Sequence, residues 1–238
     1  MIDVVHLYSN EYDLYINLSK TKIVIFRNSG NCKPEEKWFL NGNHIELCNE
    51  FMYLGILFSF NGTFLQTQEK LSDQGRKAVF GLFDKIQDDC YNHKTLLSLF
   101  DTYVKCMLNY GCEVWGYYTA PDIEKVHLYF LKRILKVRKS TVNNMVYCEL
   151  GRLPLYVERQ CKMVKYCDKQ NWCCKIKEIL FKYGLNYAWL NQCADNVENL
   201  LLKLKERIIG SFISEATAFL ENINFINVCI LCTCYNII

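Results

Sequence analysis

The apolar residues of this chain change their spacing near residue 62, and that change limits the possible folds more than any other feature of the sequence. Before it, apolar residues come in short runs punctuated by turn residues. Trp38-Phe39-Leu40, then Asn41-Gly42, then His44-Ile45-Glu46-Leu47 predicts a β-hairpin, because Asn-Gly supplies the positive φ angles of a tight two-residue turn. Leu14–Asn17 and Lys22–Phe26 read as strands around Ser19-Lys20-Thr21, and Phe51–Phe58 as a further apolar strand ended by Asn61-Gly62. Residues 1–10, with Val4, Val5 and Tyr8, read as the end of a helix that began earlier.

After Gly62 the period lengthens to about 3.6 residues. Leu71, Ala78, Leu82 and Ile86 mark one helix, and Leu96 to Leu108 a second, closed by Gly111. Pro121-Asp122 opens a third with Ile123, Val126, Phe130 and Ile134 inward. Thr141 is placed to cap a short helix ending at Gly151, and Pro154 to start a longer one. Val197 to Ile208 mark a late amphipathic helix. The expected class is α+β: a small antiparallel β-hairpin unit over 1–62, a mainly α-helical domain over 63–170, a helical extension over 171–222, and an apolar tail, 223–238, outside the fold.

Charge narrows the partners only through its distribution. The whole chain carries +3. Between Asp122 and Lys165, ten Lys/Arg face four Asp/Glu. A basic segment in a near-neutral chain fits either a phosphate footprint or a solvated face. No signal peptide opens the chain, so its fourteen cysteines are expected to be reduced thiols in an intracellular, non-secreted protein, in cytoplasm or nucleus. No apolar stretch reaches the length of a membrane span, so no membrane partner is expected.

Several ordered motifs carry a family resemblance. Asn17-Leu-Ser-Lys20-Thr21-Lys22-Ile-Val-Ile-Phe26 resembles the N-x-x-K-T-K-x-x-x-F segment of LINE-type (non-LTR) retrotransposon reverse transcriptases. Asn41-Gly42, Ile45-Glu46 and Phe51-Met-Tyr53-Leu54-Gly55-Ile56 resemble the primer-grip hairpin that follows it. Leu99-Phe100-Asp101, Leu108-Asn-Tyr110-Gly111-Cys-Glu113-Val-Trp115-Gly116, Ile123-Glu124-Lys125-Val126-His127 and Glu149-Leu150-Gly151-Arg152-Leu-Pro154-Leu155 resemble the thumb and linker of such elements. The resemblance implies the end of a polymerase palm followed by a thumb. In the family's order, the catalytic Asp-Asp pair lies upstream of Met1. The intact enzymes use Mg for two-metal phosphoryl transfer. This chain is therefore expected to hold no cofactor, to bind no metal and to lack polymerase activity by itself. Neither Glu35-Glu36, in a Pro-bearing loop, nor Asp88-Asp89, at a helix end, offers a substitute pair.

By the same resemblance, Lys20 or Lys22 lies near the phosphates of an incoming nucleotide, a role left vestigial here; a charged hairpin turn is the simpler alternative. Tyr53 and Gly55 would contact the primer backbone, with Phe51 and Leu54 packing inward. Lys132, Arg133, Lys136, Arg138 and Lys139 would face the phosphates of a template–primer RNA/DNA duplex without reading bases, while Arg76 and Lys77 stay open. Trp115 is expected to anchor the core, and His127 to be a satisfied core histidine. Cys161 and Cys167 stand where the family suggests a basic residue and Trp, consistent with drift in a decayed copy. Cys161, Cys167, Cys173, Cys174, Cys193 and Cys229-Ile-Leu-Cys232-Thr-Cys234 lack the paired spacing of a zinc module. The competing function is a helical protein-interaction module, or a relic, without nucleic-acid binding.

Overall fold

A computed structural model describes residues 2–27, 36–86, 91–167, 174–190 and 197–222. The Glu35-Glu36 pair in part, Asp88-Asp89 and the 223–238 tail lie outside these residues. The chain is mixed α+β and forms two compact units, one up to Thr67 and one from Gln68 onward.

The first unit opens with α1 (Ile2–Glu11). Asp13 adopts positive φ, and Leu14 N–H returns to the Ser9 carbonyl at 2.7 Å, closing the helix. The strand expected over Leu14–Asn17 does not form. Asn17 instead organises a turn: its side-chain oxygen accepts from Ser19 Oγ and Lys20 N, and its carbonyl accepts from Lys20 N, Thr21 N and Thr21 Oγ1. An Asx-type turn competes with strand pairing at this point. The strand expected over Lys22–Phe26 shrinks to β1 (Lys22–Ile23).

The Asn41-Gly42 hairpin forms as expected between β2 (Trp38–Leu40) and β3 (Asn43–Leu47), with φ of 48° and 74° at the two turn residues. β1 joins β3 in parallel, so the unit is not wholly antiparallel. The expected single strand over Phe51–Phe58 is a second hairpin, β4 (Glu50–Tyr53) and β5 (Ile56–Ser59), turned at Leu54-Gly55 with φ of 47° and 80°. A leucine in the left-handed region is unfavourable, which is why sequence alone read through this turn.

The second unit is helical. It contains most of α2 (Leu65–Lys85), then α3 (His93–Phe100), a π-helical turn (Asp101–Lys105) and α4 (Cys106–Leu108). Leu96, Phe100, Val104 and Leu108 are all buried and recur every four residues. A regular α-helix would rotate a four-residue repeat by about 40° per step. The wider π turn absorbs that rotation and keeps all four on the core side. α5 (Cys112–Trp115) and α6 (Pro121–Ile134) follow, the latter with Pro at its start as expected. α7 (Asn143–Glu149) is preceded by Val142 rather than capped by Thr141. α8 (Leu155–Cys167) shares one apolar core with α9 (Cys174–Lys182), α10 (Asn186–Leu190) and α11 (Val197–Asn222), built on Ile176, Leu180, Leu185, Leu204 and Ile208. That core runs across residue 170, where separate segments were expected.

A buried polar network joins residues that are far apart in sequence. Arg159 is fully buried. It donates to the Glu124 carboxylate at 2.6 Å, the Thr119 carbonyl at 2.9 Å and Asn109 Oδ1 at 3.3 Å. Its guanidinium lies 5.7 Å from the centre of the Trp115 ring. Glu124 also accepts from Leu155 N at 3.0 Å and Tyr156 N at 2.8 Å, so one carboxylate satisfies the first N–H groups of α8. Burial raises the Glu124 carboxyl above its ordinary pKa, while Arg159 and the two N–H groups oppose the rise. Arg152 grips Asp101, at the start of the π turn, with both terminal guanidinium nitrogens.

Candidate nucleic-acid interface

In the first unit, the two candidate lysines face different tasks. Lys20 is exposed in the Asn17 turn. Lys22 is half-buried and ion-paired with Glu46, its register partner across the parallel β1–β3 pairing. The Glu46 carboxylate therefore already engages the Lys22 ammonium, and Lys20 is the more available cation. In the β4–β5 hairpin, Tyr53 is exposed and its ring lies 6.4 Å from that of Phe58. Gly55 forms the second turn position, where its positive φ admits little but glycine. Leu54, expected to pack inward, is 71% exposed, because the turn lifts it off the sheet.

In the second unit, the basic run sits at the end of α6. Lys136 adopts φ of 53°, Lys136 N bonds the Arg133 carbonyl at 3.0 Å and Val137 N bonds the Lys132 carbonyl at 3.1 Å. This Schellman turn folds the segment back on the helix end, and Lys132 Nζ donates to the Lys139 carbonyl at 2.8 Å. Partial burial holds the Lys132 ammonium below its ordinary pKa. Arg133 stacks 4.2 Å above the Phe83 ring and donates to Tyr129 Oη. Arg133, Lys136, Arg138 and Lys139 are exposed. Cations at a helix C-terminus also complement its dipole, so part of this charge serves α6 itself. Arg76 is exposed and pairs with Asp73 one turn away at 3.1 Å, which leaves it less available; Lys77 is exposed.

The structure divides the ten cations counted between Asp122 and Lys165. Arg159 is internal and Arg152 is committed to Asp101, so neither offers a free charge to a ligand. Trp115 is fully buried and donates to the Tyr110 carbonyl at 3.0 Å, the anchoring role expected of it. His127 is fully buried as expected, but neither ring nitrogen has a hydrogen-bond partner, which corrects the reading of a satisfied histidine. Burial pushes it down to about 3, so it is a neutral ring stacked 5.1 Å from Phe100. Sequence reasoning missed the Glu124–Arg159 and Asp101–Arg152 links, although three of the four residues lie in the motif blocks that carry the resemblance.

Among the described residues, no group of three or more His, Cys, Asp or Glu is placed to hold a metal ion. The cysteines at 173, 193, 229, 232 and 234, and the side chains of Cys167 and Cys174, fall outside the description. No helix among the described residues is long and apolar enough to cross a membrane. Comparison with known proteins gave no matching family model, no similar curated protein and no similar solved structure.

Proposed function

We propose that the chain is the C-terminal part of a LINE-type reverse transcriptase, comprising the end of the palm, the thumb and a linker. In this reading it binds template–primer RNA/DNA without sequence preference and does not polymerise by itself. In such enzymes the Mg-dependent chemistry belongs to an Asp-Asp pair, for which neither Glu35-Glu36 nor Asp88-Asp89 is a substitute in this reading. The observation that carries the binding reading is the exposed set Arg133, Lys136, Arg138 and Lys139, gathered by the turn at the end of α6 that Lys132 braces. Fixed, outward-facing charges with no base-reading groups suit phosphates, whose spacing is independent of sequence. The ion pair of Asp101 with Arg152 and the Leu155 N–H donated to Glu124 support the thumb reading, because each ties two of the motif blocks together.

Binding of a labelled RNA–DNA hybrid at two salt concentrations tests this reading, with a variant in which Lys132, Arg133, Lys136, Arg138 and Lys139 are all Gln. Salt-sensitive binding that the variant loses is the expected result; no binding by the folded wild-type chain would overturn it. A second reading, a protein-interaction module, is favoured by the exposed Val4, Leu7, Tyr8, Tyr12 and Tyr15 of the first unit. Association through that surface would persist at high salt.

A further inference from the structure

A cationic concavity in the second unit lies away from the α6 turn. A cleft of about 510 Å³ opens between α8, α11 and the Gly151–Pro154 segment, a volume within the usual range of ligand sites. Lys105, Arg152, Lys162, Lys165 and Lys205 line it, and Glu158 is the one acid among its lining residues. Two tiers of charge are visible. Lys105 bridges Asp101 at 3.5 Å and Glu158 at 3.1 Å, Lys162 pairs with Glu158 at 2.9 Å, and Arg152 is held by Asp101. This inner tier is fixed in place and largely compensated. Lys165 and Lys205 form the outer tier; both are exposed, and among the described residues neither makes an ion pair.

The lining also has an apolar component, formed by Leu153, Pro154 and Leu201 with Cys161. Burial pushes the Cys161 thiol up to about 11, so it stays neutral. No aromatic ring lines the cleft, so nothing there stacks a base. Apolar lining combined with uncompensated ammonium groups suits a sugar–phosphate backbone, whose ribose faces are apolar and whose oxygens are anionic.

We propose that this cleft is a second backbone site, in which Lys165 and Lys205 hold the phosphodiester backbone of a nucleic-acid strand. The assignment rests on the nucleic-acid reading above and adds a contact surface to it. The two lysines project from α8 and α11, which pack on each other, so their separation is set by the core beneath rather than by a loop. Lys165 belongs to the basic segment legible in the sequence, whereas Lys205 lies 40 residues further on and joins it only through folding.

The test measures hybrid binding by the full chain as a function of salt, for wild type, for Lys165→Gln/Lys205→Gln, and for the five-residue 132–139 variant. Both substituted lysines are exposed, and unchanged circular dichroism and unfolding midpoint confirm an intact fold. The cleft variant is expected to bind roughly tenfold more weakly at moderate salt. Its log–log salt slope should be shallower by about 1 to 2, the loss of one or two neutralised phosphates. Lys165→Arg/Lys205→Arg should restore both. Wild-type-like affinity and slope in the Gln variant, with binding lost in the 132–139 variant, would overturn the cleft site and leave the α6 turn as the interface. Absence of hybrid binding by wild type would overturn both readings together. Equal binding of a polyglutamate peptide of matched charge, lost in the same cleft variant, would show a site for acidic protein segments and overturn the phosphodiester assignment.

Discussion

His127 shows what a single buried side chain can cost. It is enclosed by Phe100 and Tyr147, and both its ring nitrogens lack partners. In the unfolded chain it takes up a proton near its ordinary pKa of about 6.5, whereas in the fold burial delays protonation to about 3. The unfolded state therefore binds more protons between these values. Stability from this group is full above about 6.5 and falls as the pH drops towards 3, by roughly 1.4 kcal/mol per unit at most. His127→Phe should remove that component and, by deleting two unpaired polar atoms, stabilise the protein at neutral pH by about 1 kcal/mol. Urea midpoints of both proteins from pH 7.5 to pH 4 check this; parallel pH profiles would contradict it. Gly75 makes the opposite case, since a Cβ there would stand 2.3 Å from the buried Leu108 side chain. Gly75→Ala should destabilise by about 1–3 kcal/mol despite its better helix propensity, measurable as a lowered unfolding midpoint.

At the scale of elements, the start of α8 depends on a carboxylate from α6. Glu124 caps Leu155 and Tyr156 and neutralises Arg159, so loss of its charge weakens a cap and removes an ion-pair partner. Glu124→Gln should cost about 3 kcal/mol or more, because it leaves a fully buried guanidinium without a counter-charge. Glu124→Gln combined with Arg159→Met should cost less than the sum of the two single changes, and a double-mutant cycle on unfolding free energies measures the difference. None of this linkage could be read from spacing, because Glu124 and Arg159 belong to different helices. What spacing did convey was local. The Asn41-Gly42 turn, the Pro121 helix start and the switch from β to α near residue 62 each rest on a short-range preference, and each forms. Where local preferences conflicted, the sequence misled: Asn17 turned a strand into a loop, and Leu54 accepted a left-handed turn that its side chain disfavours. The cationic turn at 132–139 was legible as charge, but the cleft holding Lys205 was not, since it exists only once α11 packs on α8.

At the scale of the molecule, the two units differ in how much apolar surface each buries within itself. In the first, the buried apolar side chains among the described residues are Leu40, Ile45 and Ile56, while Val4, Leu7, Tyr8, Tyr12, Leu14 and Tyr15 are exposed. In the second, the α8–α11 core alone buries Ile176, Leu180, Leu185, Leu204 and Ile208, and the α3–α6 region adds Phe100, Leu108, Trp115, Phe130 and Leu131. With so few buried apolar side chains of its own, the first unit should sit near the limit of independent stability. Hydrogen exchange of the whole chain should therefore show β1–β5 amides opening with a free energy several kcal/mol below that of the α8–α11 amides. In urea, the hairpin residues should lose protection first while the second unit stays folded. A single transition, with equal protection in both units, would show that the first unit draws its stability from somewhere other than its own core.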